Sequence, residues 1–163
     1  MSLKIDPRSI PQEGLHVEGT LPVTIFALSE EDSVNPLSPL AYDLTVMRDE
    51  NDLLIHGQIG ATFELTCGRC AERYQTRMEL QTYGLDVQLE NEDPIDLTIY
   101  LREDILLALP TYPRCETGNV APRDCPAEGK FNPETEPNGT ELDEAADRNV
   151  WESLDQLNNL KRN

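Results

Sequence analysis

A chain of 163 residues, 38% hydrophobic and with 12 prolines, can fill one packed domain and leaves a segment that does not pack. Thirteen Lys and Arg against 31 Asp and Glu give a net charge of −18, which repels phosphate polymers at long range and attracts basic partners. Non-specific coating of nucleic acid is thereby disfavoured, because it needs Lys and Arg to displace counterions, and direct RNA contact is restricted to a local basic patch.

The N-terminal stretch MSLKIDPRSIPQEGL has no apolar run of signal-peptide type, and no run in the chain reaches bilayer length, so a cytoplasmic protein without a membrane segment is expected. Residues 1–14 read as an extended lead-in broken by Pro7, Pro11 and Gly14. TLPVTIFAL, from Thr20 to Leu28, predicts a strand with Pro22 near its start. SEEDSVNPLSP is a polar loop closed by prolines. From Leu40 to Met47 the pattern alternates, with Leu40, Tyr42, Leu44 and Val46 on one face.

The clearest strand signal runs from Leu53 to Cys67: Ile55, Ile59, Ala61, Phe63, Leu65 and Cys67 share one parity, and His56, Gln58, Thr62, Glu64 and Thr66 the other. After Cys67-Gly68-Arg69-Cys70 the alternation resumes with Tyr74, Met78 and Leu80, then changes parity to Leu85, Val87 and Leu89. A one-residue phase change beside Gly84 predicts a β-bulge. The two cysteines are therefore placed at the tip of a long antiparallel hairpin, with Gly68 permitting the turn.

ENEDP is an acidic turn. From Ile95 to Pro110, Leu97, Leu101, Ile105 and Ala108 fall at helical spacing, Asp96 can cap the first turn, and Pro110 stops it, which predicts a helix over about 96–109. A strand over Leu97–Leu101 competes, because Thr98 and Ile99 are β-branched. Residues 111–146 carry Pro113, Pro122, Pro126, Pro133 and Pro137 and few apolar residues, and read as a metal-tied or mobile acidic loop. Trp151, Leu154, Leu157 and Leu160 restore helical spacing over 147–163, and Lys161-Arg162 suits a helix C-terminus. That helix either packs on its own core or docks a partner. The fold class expected is α+β: one domain with a β-rich core and a helix over 1–110, the acidic loop and a closing helix.

The chemistry lies in the four cysteines. Cys67 and Cys70 form C-x2-C, and Cys115 and Cys125 form C-x9-C. Two such pairs meeting in space make a tetrahedral zinc site of four thiolates. A hairpin tip presents the first pair well; the second is loosely spaced, and Glu128 offers an oxygen ligand in place of either distant cysteine. The competing readings are four unliganded thiols, or a Cys67/Cys70 dithiol of an oxidoreductase. A thioredoxin-type dithiol belongs at a helix N-terminus, whereas strand signal flanks this one on both sides. His16 and His56 are the only histidines, His56 sits on a polar strand face, and no nucleophile lies near either in sequence. No glycine-rich phosphate loop is present.

Three segments together resemble the bacterial YceD-like family, also called large ribosomal RNA subunit accumulation proteins. LTCGRCAERY is similar to the family's C-x-R-C segment, IDLTIYLREDILLALPTYPRC to its acidic segment ending in P-x-C, and WESLDQLNNLKRN to its closing helix. EGLHVEGTLPV fits loosely. The resemblance spans roughly residues 53–163. It implies a non-enzymatic cytoplasmic factor needed for accumulation of large-subunit ribosomal RNA. In members with a C-P-x-C-G insert, the matching residues here are Cys125-Pro126-Ala127-Glu128-Gly129, with Glu128 in place of the second cysteine. Combined with the charge, the expected partner is a basic ribosomal protein or a ribosomal-RNA processing or assembly factor, with no small-molecule substrate. The alternatives are a dithiol oxidoreductase and a zinc-binding adaptor unrelated to ribosomes.

Overall fold

The computed structural model describes residues 2–29 and 32–130. The chain divides into a compact unit, Met1–Glu128, and a second unit, Gly129–Asn163; the fold below is that of the first. The helix expected over 147–163 lies outside the described residues, as does the acidic segment beyond Lys130.

The architecture is α+β, as expected. β2 (Leu15–Leu21), β3 (Val34–Pro36), β4 (Leu40–Asp49), β5 (Asp52–Thr66) and β6 (Arg73–Gln88) form one antiparallel sheet. β5 organises it. β4 pairs with its first half, β3 takes up the same side near its end, and β6 runs along the other side. β2 closes the outer side of β4. A separate two-stranded ladder joins β1 (Lys4–Ile5) to β7 (Ile95–Asp96), tying the lead-in to the start of the helix α1 (Thr98–Leu107).

Alternation sends one face of β5 inward. Leu53, Ile55, Ile59, Ala61, Phe63 and Leu65, with Cys67 just beyond the strand, are all buried, and Leu97, just before α1, covers them together with Leu101 and Ile105 of the helix, each fully buried. Full burial of a side chain such as Phe63 or Leu101 stabilises the fold by roughly 1.5–3 kcal/mol. Helix wins over strand at 98–107 because this face needs a cover: the three residues at helical spacing reach it together, while Ile99 and Leu107 point to solvent. Asp96 caps as expected, accepting the Thr98 N–H at 3.0 Å. Leu3 anchors the same turn, its N–H donating to Thr98 Oγ1 at 2.8 Å.

Two expectations are corrected. The strand predicted over Thr20–Leu28 instead ends at Leu21, having begun at Leu15, and Val23–Phe26 forms a 3-10 turn. Pro22 has no N–H for the ladder. Beyond it the chain turns inward and places Phe26, fully buried, edge-on against Phe63 with ring centroids 5.2 Å apart. The bulge exists, but at Gln81–Thr82 and not beside Gly84. Ile59 pairs with Leu80 and Gly57 with Tyr83, so β6 carries one residue more than β5 there. Opposite this bulge Gly57 has φ +150, and a Cβ on it would stand 2.1 Å from the Asp43 carbonyl oxygen, a space only glycine leaves.

Candidate metal centre

The β5–β6 hairpin ends in the turn that carries Cys67 and Cys70. The Cys67 N–H donates to the Glu72 carbonyl at 2.9 Å, and the Ala71 N–H to the Cys67 carbonyl at 3.0 Å. The left-handed residue of this turn is Ala71, at φ 58. The expectation for Gly68 is thereby corrected: its φ is not positive, and an added Cβ would make only an ordinary contact with the Pro113 carbonyl at 3.6 Å.

After α1 the chain returns to this tip. The Gly68 N–H donates to the Pro113 carbonyl at 2.8 Å, which delivers Cys115 at the start of a short 3-10 turn, Cys115–Thr117. The segment then follows β6 and turns back at Cys125, where the Glu128 N–H donates to the Cys125 carbonyl at 2.9 Å. C-x9-C is loose in sequence because its intervening residues make the passage along the sheet.

The four sulfurs converge. Every pair among Cys67, Cys70, Cys115 and Cys125 lies within 4.8 Å, and Cys70 Sγ stands 3.8 Å from Cys115 Sγ. Four sulfurs at about 2.3 Å from a central ion in tetrahedral geometry are about 3.8 Å apart, so this set fits a metal ion. A disulfide needs sulfurs about 2.05 Å apart, and all four cysteines are free. Glu128, the alternative oxygen ligand, does not belong to this group of ligand atoms, which is the expected set of four cysteines. Three of the four cysteines are buried and Cys70 is partly so.

The electrostatics are uneven. Burial opposes ionisation of Cys67, but the backbone N–H groups of Cys70, Arg69 and Cys115 outweigh it and hold this thiol at about 6. The Arg69 N–H stands 3.5 Å from Cys67 Sγ. Burial and the neighbouring sulfurs of Cys125, Cys67 and Cys70 push Cys115 up to about 12. At Cys70 the Glu72 N–H favours the thiolate, but burial and the flanking Cys67 and Cys125 sulfurs move it upward overall. A divalent ion held by Cys67, Cys70, Cys115 and Cys125 would remove that conflict, because its charge would offset the repulsion between neighbouring thiolates that keeps Cys70 and Cys115 protonated.

Five arginines surround this end of the molecule, and each meets a carboxylate. Arg69 and Arg114 share Glu116 at 3.4 and 3.5 Å, Arg73 meets Glu64 at 2.9 Å, Arg123 meets Glu72 at 2.6 Å, and Arg77 pairs with Glu79. The local basic patch left open by the sequence is internally neutralised. His16 is bound to Asp43 at 2.7 Å on the exposed sheet face, and His56 is exposed as expected; neither approaches the cysteines.

Sequence reasoning passed over Asn119. Its side chain accepts the Arg77 N–H at 2.7 Å and donates to the Arg77 carbonyl at 2.9 Å, fastening the metal segment to β6. Gly118 permits this approach, since a Cβ there would stand 2.9 Å from Tyr74 Cδ2 and 3.0 Å from the Gln75 carbonyl. One Asn-bearing turn between cysteines carries no sequence signal for such a role.

No described helix is long and apolar enough to cross a membrane. Comparison with family models, curated proteins and solved structures returns no match.

Proposed function

We propose that this chain is a non-enzymatic factor that supports accumulation of large-subunit ribosomal RNA by binding a basic protein partner, and that Cys67, Cys70, Cys115 and Cys125 hold a structural zinc ion. The ribosomal part rests on the three sequence segments similar to the YceD-like family. The choice of binding over catalysis rests on one observation: the four sulfurs form a cage complete in itself, with three of its cysteines buried. Structural zinc sites are closed by four protein ligands, whereas catalytic ones keep a position for water or substrate. Tetrathiolate coordination favours zinc among divalent ions. Free thiols in this number suit the reducing cytoplasm.

The basic partner follows from the net charge of −18 and from the pairing of the five arginines near the metal centre. Naked ribosomal RNA meets no cationic surface there, while a basic ribosomal protein or assembly factor meets attraction over much of the molecule.

A dithiol oxidoreductase would draw on the lowered pKa of Cys67. That thiol is 1% exposed and lies in a hairpin turn, without the helix N-terminus that gives thioredoxin-type cysteines their reactivity. Deletion of the gene followed by ribosomal-RNA profiling, with a pull-down of the tagged protein, tests the main reading. Loss of large-subunit RNA together with capture of a basic ribosomal or assembly protein is expected. An unchanged profile would leave a zinc adaptor unrelated to ribosomes, and turnover of a disulfide substrate would leave the oxidoreductase.

A further inference from the structure

Among the described residues β6 has a single strand partner, β5, so its other side is a sheet edge of that set. The first half of that edge is closed by the chain itself. The Asn119 amide makes with Arg77 the two bonds a neighbouring strand would make, at 2.7 and 2.9 Å. Arg123 Nη2 donates to the Arg73 carbonyl at 3.3 Å. Natural sheets blunt exposed edges in this way because a row of unpaired N–H and C=O groups recruits other strands.

The second half is not closed. Residues of odd number on β5 turn their backbone toward β6, since Thr62, of even number, gives its carbonyl to the opposite side, to the Leu37 N–H at 2.8 Å. Their partners Leu80, Tyr83, Leu85 and Val87 therefore point inward. Glu79 before the bulge, and Gly84 and Asp86 after it, present backbone N–H and C=O groups outward, and no described residue pairs with them. Beside this stretch a cleft of about 540 Å³ runs toward the end of α1, between Leu80 and Tyr83 on one side and Leu107 and Ala108 on the other. Leu107 is 82% exposed. From Met78 to Asp93 the sequence has five carboxylates and no Lys or Arg; Glu79 and Glu92 meet Arg77 and Arg48 from outside this stretch, and Asp86, Glu90 and Asp93 have no cation partner among the described residues.

We infer that the open half of the β6 edge is a strand-addition site for an extended basic segment of a partner protein. Resting on the reading of the partner as a basic protein, this names the surface that would receive it. The incoming backbone pairs with Glu79, Gly84 and Asp86. Alternate side chains of the incoming strand face the Leu107 cleft, and the others place cations among the carboxylates. A second copy of this chain would bring acid against acid, and RNA would bring phosphate against the same acids, so neither fits.

The test titrates the isotope-labelled full-length chain with a synthetic seven-residue peptide alternating Lys and Val, and with its Glu–Val counterpart, reading each amide by NMR shift and hydrogen exchange. The Lys–Val peptide is expected to protect the Glu79, Gly84 and Asp86 amides and to leave those of Glu18 and Thr20, on the other sheet edge, unchanged. The Glu–Val peptide is expected not to bind. Gly84→Pro removes one outward N–H while keeping the ladder to β5, and should weaken binding at least about tenfold. D86N with E90Q, which retains every backbone group and breaks no ion pair of the described residues, should weaken binding and flatten its salt dependence even if the proline variant fails to fold. Protection centred on β2, equal binding of both peptides, or no binding would overturn the inference. Protection at β6 with an unchanged ribosomal-RNA profile would remove only the ribosomal reading, and the reverse would remove only this site.

Discussion

Replacing Cys115 with Ser removes one fully buried corner of the cage and leaves three thiolates, since a serine hydroxyl does not ligate zinc at neutral pH. Structural zinc sites bind with about 10–16 kcal/mol in total at neutral pH, so one of four equivalent ligands contributes roughly 2.5–4 kcal/mol. Zinc affinity should therefore fall about 10²–10³-fold. The structural response should be local. Without the metal, the segment from Thr111 to Glu128 is held by the Gly68 to Pro113 bond at 2.8 Å, the Asn119 pair on Arg77 at 2.7 and 2.9 Å, and the Arg123–Glu72 ion pair at 2.6 Å. Each is worth about 1 kcal/mol or less, against roughly 1 kcal/mol per residue for ordering the backbone. Amides at Gly68, Gly118 and Glu128 should exchange rapidly in Cys115→Ser, while those of β4 and β5, paired within the sheet, stay protected. Competition with a chromophoric chelator reads the affinity, and exchange by mass spectrometry reads the segment. Glu128→Ala should change neither. The cage assignment fails if Cys115→Ser retains zinc at unchanged affinity, or if Glu128→Ala loses as much.

Zinc binding should strengthen with pH. Cys67, held at about 6, enters as a thiolate at neutral pH, whereas Cys70 and Cys115, both shifted upward and the latter to about 12, enter as thiols. Loading then releases at least two protons, and log affinity should rise by about two per pH unit between 7 and 8, measurable by proton-release calorimetry. In the metal-free protein the depressed Cys67 stabilises the fold above its unfolded pKa of about 8.5 and loses that contribution as pH falls through 6, while the raised Cys115 has the opposite sign and costs stability above about 8.5. Chelated protein should therefore fail to gain in melting temperature on passing from pH 8 to 10; a steady rise would contradict the assignment. Gly57→Ala should cost about 3 kcal/mol or more, because the new Cβ stands 2.1 Å from the Asp43 carbonyl in a left-handed backbone, and an unchanged urea midpoint would refute the close approach. Asn119→Ala removes two bonds to the exposed Arg77 backbone, which water then solvates, and should cost only about 1 kcal/mol while increasing self-association in sedimentation; an unchanged sedimentation profile would refute the edge-closing role.

The sheet was readable because β5 faces two environments at once. From Leu53 to Cys67 one parity is buried except at Gly57, with apolar Leu54 and buried Gly60 the only departures on the other, which fixes both the face and the register of the central strand. The change from Tyr74 and Met78 to Leu85 and Val87 announced a bulge, but its position at Gln81–Thr82 depends on which residues the partner strand leaves opposite it. Phe26 misled for a related reason. TIF is β-prone in isolation, yet the space over Phe63 required an aromatic edge delivered by a turn, and Pro22 ended the ladder in time to supply it.

Composition and spacing alone settled that Cys67 and Cys70 sit at a hairpin tip and that a helix follows the acidic turn, because those are local consequences of period and turn chemistry. Whether Cys115 and Cys125 join them is a matter of chain return over long separations, and no spacing rule carries it. That return is made by the Gly68–Pro113 bond, the passage of Asn119 along β6 and the absence of a side chain at Gly118. The same passage closes one half of the β6 edge and leaves the other half unpaired among the described residues, a difference between two stretches of one strand that appears only when the chain is folded back upon it.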